Sequence, residues 1–302
     1  TPKFKNVTLL NVKEESTAVA MVKTGELDMA MVGSDAAASL KTAGFRIVTF
    51  ENGTNYYVWP WYDLDHPETS ALSDVRVRKA LQLGINQKEI ADKLLGGFGA
   101  PVAMAFVPPN AYFFDANQIK LDPFDPEGAK KLLADAGQAS GFNTKLWDVG
   151  GGALLSTINQ AVAGYWRKIG VNVETVPMDF AAFRPKYNPK PTPEIWNTLW
   201  TYRTNPRHFE QMVHYHSTKG GAKNIRMPEL DALIDQVPAT ADPVKRKQLA
   251  LQAAVMGKNA YSMLAVVGAY PTVAISPKIG EIQRPVRSSI NSLVLEVTTH
   301  SK

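Results

Sequence analysis

Cysteine is missing altogether from the 302 residues. Its absence excludes disulfides, thiolate nucleophiles and cysteine-held metal, and says little about compartment. No apolar run approaches the roughly 18 residues that span a bilayer, and residues 1–7 carry neither the apolar segment nor the cleavage signature of a signal peptide. Charge of one sign does not gather: the net charge is +5 and the pI about 9.2, yet the nearest thing to a basic cluster is Lys245, Arg246 and Lys247. Without a recognised binding motif beside it, nucleic acid is not an expected partner. Also missing are GxSxG, HExxH and GxGxxG, and the acids mostly occupy helix caps or exposed helix faces. Catalysis needs a nucleophile with its base, paired carboxylates or a metal, so an enzyme is not expected, nor a cofactor. Repeats and low-complexity tracts are absent as well. What remains, 45% hydrophobic and 20% charged, is ordinary globular material, long enough for two cores.

The most informative stretch is residues 55–97. Tyr56, Tyr57, Val58, Trp59 and Trp61 favour a half-buried strand, which Pro60 confines to a sheet edge or to the strand's end. After a polar, proline-containing connector, Asp74 stands at an N-cap, and Gly84 ends or bends the helix that follows. Asn86 caps the next helix with Glu89 at its N3 position, and Gly96 and Gly97 stop it.

Before this stretch, Val7, Leu9 and Val12 predict a short strand, Ser16 a cap for a helix closed by Gly25, and 27–32 a strand. Ser34 and Asp35 cap a further helix that Gly44 ends, and 45–50 returns as a strand. Beyond it, 101–109 reads as extended loop. Asp125, Pro126 and Glu127 start a helix, and 144–149, 153–168 and 171–176 form a strand–helix–strand unit with parallel strands. The glycines at 150–152 lack phosphate-loop spacing and read as a tight turn. Asp179 caps a short helix, 184–193 reads as a proline-rich loop, 194–200 as a strand, 229–237 and 243–259 as helices, and 262–270 as a second apolar strand. Segments 274–277 and 293–297 add strand character.

His208, His214 and His216 were tested as metal ligands. His214 and His216 are two apart, on one face of a strand but on different faces of a helix, and no carboxylate recurs beside them. No metal site is assigned.

The phrases DVRVRKAL, INQKEI and LLGG, with ESTAVAMVKTGELDMA, DPFDPEGAKKLLADAG, YWRKIGVNVETVPMD and PELDALID in that order, resemble the extracellular solute-binding proteins of family 5. These are the receptors of bacterial ABC importers for oligopeptides, dipeptides and nickel chelates. The resemblance covers nearly the whole chain. It implies an α/β fold of two lobes, periplasmic-binding-protein-like of type II, with mixed sheets flanked by helices and a first lobe that is incomplete here. Residues 1–62 and 263–302 would belong to lobe one and 63–262 to lobe two. The implied function is capture of a small solute, peptide-like or, given Arg203, carboxylate-bearing, between the lobes for delivery to an ABC permease in the cytoplasmic membrane. The protein would be a periplasmic or extracytoplasmic monomer whose signal sequence is absent from this chain. A peptide-binding chaperone or chemosensory receptor of the same fold is the alternative.

The segment WTYRTNPRHF bears on specificity. In peptide-binding relatives the corresponding turn carries an acid that pairs with the ligand's amino terminus, whereas here the position is Arg203, suited to a carboxylate through paired hydrogen bonds. The alternative is an Arg203 that points outward or pairs with a neighbouring acid. Trp200 and Tyr202 are candidate apolar walls or core residues. Asn55 and Tyr56 are candidate ligand contacts at the crossing between lobes, or edge-strand residues satisfying their own neighbours.

Overall fold

In the computed structural model two sheets divide the strands between them. Described are residues 6–49, 54–62, 64, 65, 67–109, 111–149, 153–187, 196–203, 208–218 and 225–280, without the side chains of 153, 187, 196–203, 208, 215 and 216. In chain order the regular elements are α1 (Glu15–Thr24), β1 (Met29–Val32), α2 (Ser34–Thr42), β2 (Arg46–Thr49), β3 (Thr54–Trp61), α3 (Val75–Leu83) and α4 (Gln87–Glu89). There follow β4 (Gly99–Ala100), α5 (Pro126–Asp135), β5 (Asn143–Val149), α6 (Ala153–Lys168), β6 (Asn172–Met178), α7 (Phe180–Tyr187) and β7 (Trp196–Arg203). The last are α8 (His208–His216), α9 (Pro228–Ala239), α10 (Pro243–Asn259), β8 (Leu264–Ala269) and β9 (Thr272–Ile275).

The small sheet has the order β1-β9-β2 and the large one β4-β8-β3-β7-β5-β6. Within the large sheet β3 runs antiparallel to both β7 and β8, while β5 is parallel to β6 and β7. β3 is therefore an interior strand, and of the two placements open to Pro60, a sheet edge or the strand's end, the second holds, one residue before Trp61. Pro60 is tolerated because the β8 ladder stops at Val58, two residues earlier, so the missing N–H falls where β3 has only β7 beside it.

Alternation along β3 builds two cores. Tyr56 and Val58 enter a cluster with Leu146 of β5 and with Val77, Leu81, Leu133, Ile158 and Trp166, the apolar faces of α3, α5 and α6. Tyr57, Trp59 and Trp61 enter a second with Phe106, Trp147 and Phe183. Phe106 is fully buried, at φ 63°, and meets Tyr57 edge-on at 4.6 Å. A third cluster joins α8, α9 and α10 to Phe113 and Ile119, and a fourth packs α1 and α2 on the small sheet.

Local capping chemistry explains most helix starts. Asp74 accepts from Arg76 N, Asn86 from Glu89 N, Asp125 from Gly128 N and Asp242 from Val244 N. Two caps differ from expectation. The N-cap of α1 is Glu14 and that of α2 is Gly33, neither capped by its own side chain. Ser16, Ser34 and Asp35 lie inside their helices, and the Gly33 N–H donates to the Glu15 carboxylate instead, a long-range partner that the local pattern does not contain. Residues 7–12 form no strand; Val7, Leu9 and Leu10 are exposed, so alternation there finds no sheet to join. α7 runs on through Pro185 to Tyr187 where a loop was expected. Segment 293–297 lies outside the described residues.

The phrase DVRVRKALQLGINQKEI owes its residues to fastening. Arg78 is buried, and its guanidinium donates to the carbonyls of Leu72 (2.7 Å), Ser73 (2.8 Å) and Ala260 (2.9 Å). Gln82 imitates a strand: its Nε2 donates to Ala265 O and its Oε1 accepts from Ala265 N. Together they tie α3 to β8 and to the end of α10.

Two expectations follow. Arg78→Ala strands two buried carbonyls and a part-buried one and lowers stability by about 3 kcal/mol or more, measured by urea unfolding; a loss near zero contradicts the role. Tyr165 donates to Glu89 and Tyr261 to Asp122, and burial first, then the carboxylate, raises both phenol pKa values above their ordinary 10. Their contribution is thus complete below about pH 10 and is lost as pH rises toward the folded values. Urea midpoints of the wild type should fall above pH 10 more steeply than those of the Tyr165→Phe, Tyr261→Phe double variant.

Candidate functional site

Strand register assembles the sequence candidates at one end of the large sheet. Thr54 stands opposite Arg203, Asn55 opposite Tyr202, Tyr56 opposite Thr201 and Tyr57 opposite Trp200. On the other flank Thr54 pairs with Ala269 and Asn55 with Gly268. From this end β8 leaves through Tyr270 and Pro271 into β9 of the small sheet, and β3 is preceded in sequence by β2 of that same sheet. The segments read as two crossings are thus neighbours, and each has its counterpart in the other sheet at this end.

Asn55 is 8% exposed, with its amide oxygen against the bare α-carbon of Gly268, where a Cβ would lie 2.9 Å from it. The β3–β8 register shifts between Tyr56 and Tyr57, passing over Val266. Such bulges re-aim side chains beside functional sites. Tyr56, also 8% exposed, is placed on the other side of β3, in the cluster under α3 and α6, and burial raises its phenol pKa. Trp200, Tyr202 and Arg203 are placed by the β7 backbone, so the structure brings Asn55, Tyr202 and Arg203 to adjacent register positions and sends Tyr56 to the core.

Parallel pairing puts the carboxyl ends of β5, β6 and β7 at this same end, where open α/β sheets bind ligands. Each of β5 and β6 feeds a helix here. Asp148, one residue before the end of β5, accepts a 2.6 Å hydrogen bond from Ser156 Oγ in α6, bracketing the glycines between them. Asp179 caps α7 by accepting from Ala182 N. Beside these junctions Leu154 is 38% and Phe180 46% exposed, apolar groups that the sequence reading did not single out. Their signal was present in the Asp179 cap, which marks a strand-to-helix junction; the glycines at 150–152, expected as a tight turn, lie outside the described residues.

The three histidines lie on α8, and burial lowers the His214 pKa. Among the described residues no three His, Asp or Glu side chains gather, and no helix is long and apolar enough to cross a membrane.

Comparison with known proteins adds the following. The model of the bacterial extracellular solute-binding proteins, family 5 Middle, matches residues 1–222. Heme-binding protein A of Haemophilus influenzae is 26% identical over 285 residues, 91% of this chain and 50% of that protein. The glutathione-binding protein GsiB of Escherichia coli is 26% identical over 178 residues, 59% of this chain and 34% of its own. The crystal structure of NikA from Brucella suis in complex with Fe(III)-EDTA superimposes with a TM-score of 0.79 at 18% identity, covering 98% of this chain and 61% of that one. The chain therefore spans about half the length of the first of these relatives.

The glycines at the sheet end give a test of its packing. A Cβ on Gly99 would lie 2.6 Å from the carbonyl oxygen of Gly268, whereas one on Gly268 meets the movable Asn55 amide and the Val102 methyl. Gly99→Ala should cost about 1–3 kcal/mol and Gly268→Ala distinctly less, compared by urea unfolding; the reverse order contradicts this geometry.

Proposed function

The chain belongs to the bacterial extracellular solute-binding proteins of family 5, with the fold of the type II periplasmic binding proteins, and on that premise we propose how it takes its solute. The solute lies at the large-sheet end, against Asn55, Trp200, Tyr202 and Arg203, with Leu154 and Phe180 as apolar neighbours, and the small sheet closes on it from the other side. One lobe is built on the small sheet and the other on the large. Because β3 and β8 pair within the large sheet, the boundary sits beyond their ends, at 50–53 and 270–271, rather than at 62 and 263. Tyr56 supports the site from beneath and does not touch the solute.

The observation that carries this reading is the pairing of β3 with β8, which sets both routes to the small sheet beside the position of Arg203. A solute that touches both sheets better when they approach shifts the population toward the closed form, and the closed form is what an ABC permease receives. The similar proteins are named for heme, glutathione and an Fe(III)-EDTA complex. The solute class is instead read from Arg203: a guanidinium opposes an ammonium group and favours a carboxylate. The site is extracytoplasmic, the receptor acts as a monomer, and it needs no cofactor.

Thermal unfolding with a panel of carboxylate solutes tests the assignment, since a ligand that binds only the folded form raises Tm with concentration. Arg203→Ala should abolish the rise given by acids. A rise that survives the substitution, or one given by free-amine peptides and not by acids, overturns it.

A further inference from the structure

Away from the sheet end, α4 continues into a π-helical turn, Ile90–Leu94, and this turn and α6 bound a groove of about 280 Å³. Its floor is Ile90, Leu94, Ala161 and Gly164. Gly164 lies inside a 16-residue helix, where glycine is disfavoured against alanine. No contact among the described residues demands it: a Cβ there would meet none of their atoms within 4 Å. The glycine leaves the floor bare without serving the fold.

The opposite bank is unusual too. The Leu95 N–H donates to Ile90 O at 3.2 Å, five residues back, and such widened turns concentrate at functional sites. Charge on the rim is unevenly committed. Glu89 is engaged by Lys93 at 2.6 Å, by Tyr165 Oη at 2.9 Å and by Asn86 Nδ2 at 3.3 Å. Lys168 lies over the Tyr165 ring, 5.4 Å from its centroid, and its charge acts on Glu89 through space without an ion pair among the described residues. An apolar floor with a cation at its rim complements a small molecule of matching polarity, and the volume lies near the lower end for small-ligand sites.

We propose that this groove is an accessory site for a small organic acid, one with an aromatic or branched apolar body and a single carboxylate. The body rests on Ile90, Leu94, Ala161 and the bare backbone of Gly164, and the carboxylate accepts from Lys168 Nζ. The site is separate from the sheet end and does not depend on Arg203.

Isothermal titration of the full chain with 4-phenylbutyrate tests it, with 4-phenylbutanamide as the uncharged control. Saturable binding of the acid is expected, weakened about tenfold or more by Gly164→Leu, which fills the floor. Lys168→Gln should remove the preference for acid over amide. Arg203→Ala, which removes the carboxylate anchor proposed for the solute site, should still bind the acid saturably and with the same dependence on Gly164 and Lys168, which separates this groove from the solute site. Gly164→Ala should raise the Tm of the unliganded protein by about 2 °C, as expected for a glycine with no packing role. The proposal is overturned by affinity unaffected in Gly164→Leu, by equal binding of acid and amide, by no saturable binding at millimolar acid, by loss of binding in Arg203→Ala, or by a lower Tm in Gly164→Ala.

Discussion

The antiparallel pairing of β3 with β8 is the constraint on which the rest depends. Both strands are apolar on both sides, because α3, α5 and α6 cover one face of the large sheet and the aromatic cluster of Trp59, Trp61, Phe106 and Trp147 lies on the other. A one-residue slip would exchange those faces. It would also break the side-chain ties that hold the register, above all Gln82, which engages both backbone groups of Ala265 in β8. With the register held, Thr54 and Ala269 are neighbours at one end, and the proposed solute contacts Asn55, Tyr202 and Arg203 fall at register positions beside them.

The consequence is a division of labour within one strand. Asn55 and Tyr56 are adjacent in sequence, yet β alternation sends them to opposite sides. Tyr56 becomes part of the core beneath α3 and α6, whereas Asn55 stands between Gly268 and the position of Tyr202. The bulge that passes over Val266 leaves Gly268 close to the Asn55 amide oxygen. In chain order α6 follows β5 and α7 follows β6, so the exposed Leu154 and Phe180 stand at the starts of helices that follow neighbouring strands.

Much of this was legible because it rests on local chemistry. Asp74, Asn86, Asp125 and Asp242 announce their helices, since a cap needs only a short polar side chain and two or three following residues. Parallel pairing of β5 with β6 followed from a strand–helix–strand pattern that permits little else. The failures were non-local. Nothing near Gly33 says that its N–H will meet Glu15, nothing around Val7 and Leu9 says that residues 7–12 form no strand, and Pro60 leaves sheet edge and strand end both open because the end of the β8 ladder is set by the partner. The same limit applied to the site: Asn55 and Arg203 were identified as types of residue, but their juxtaposition depends on a register between segments nearly 150 positions apart. Leu154 and Phe180 were missed because exposure is a property of the folded chain.

The central claim is that two sheets, joined beside the β3–β8 end, share a solute between them. Because the protein has no cysteine, spin labels go only where they are placed, at Lys41→Cys on α2 and Lys131→Cys on α5, both exposed. Electron–electron resonance distances between them, with and without a carboxylate solute that raises Tm, measure the approach of the sheets. The account predicts a shorter, narrower distance distribution in the presence of the solute; an unchanged distribution with the solute bound would contradict it.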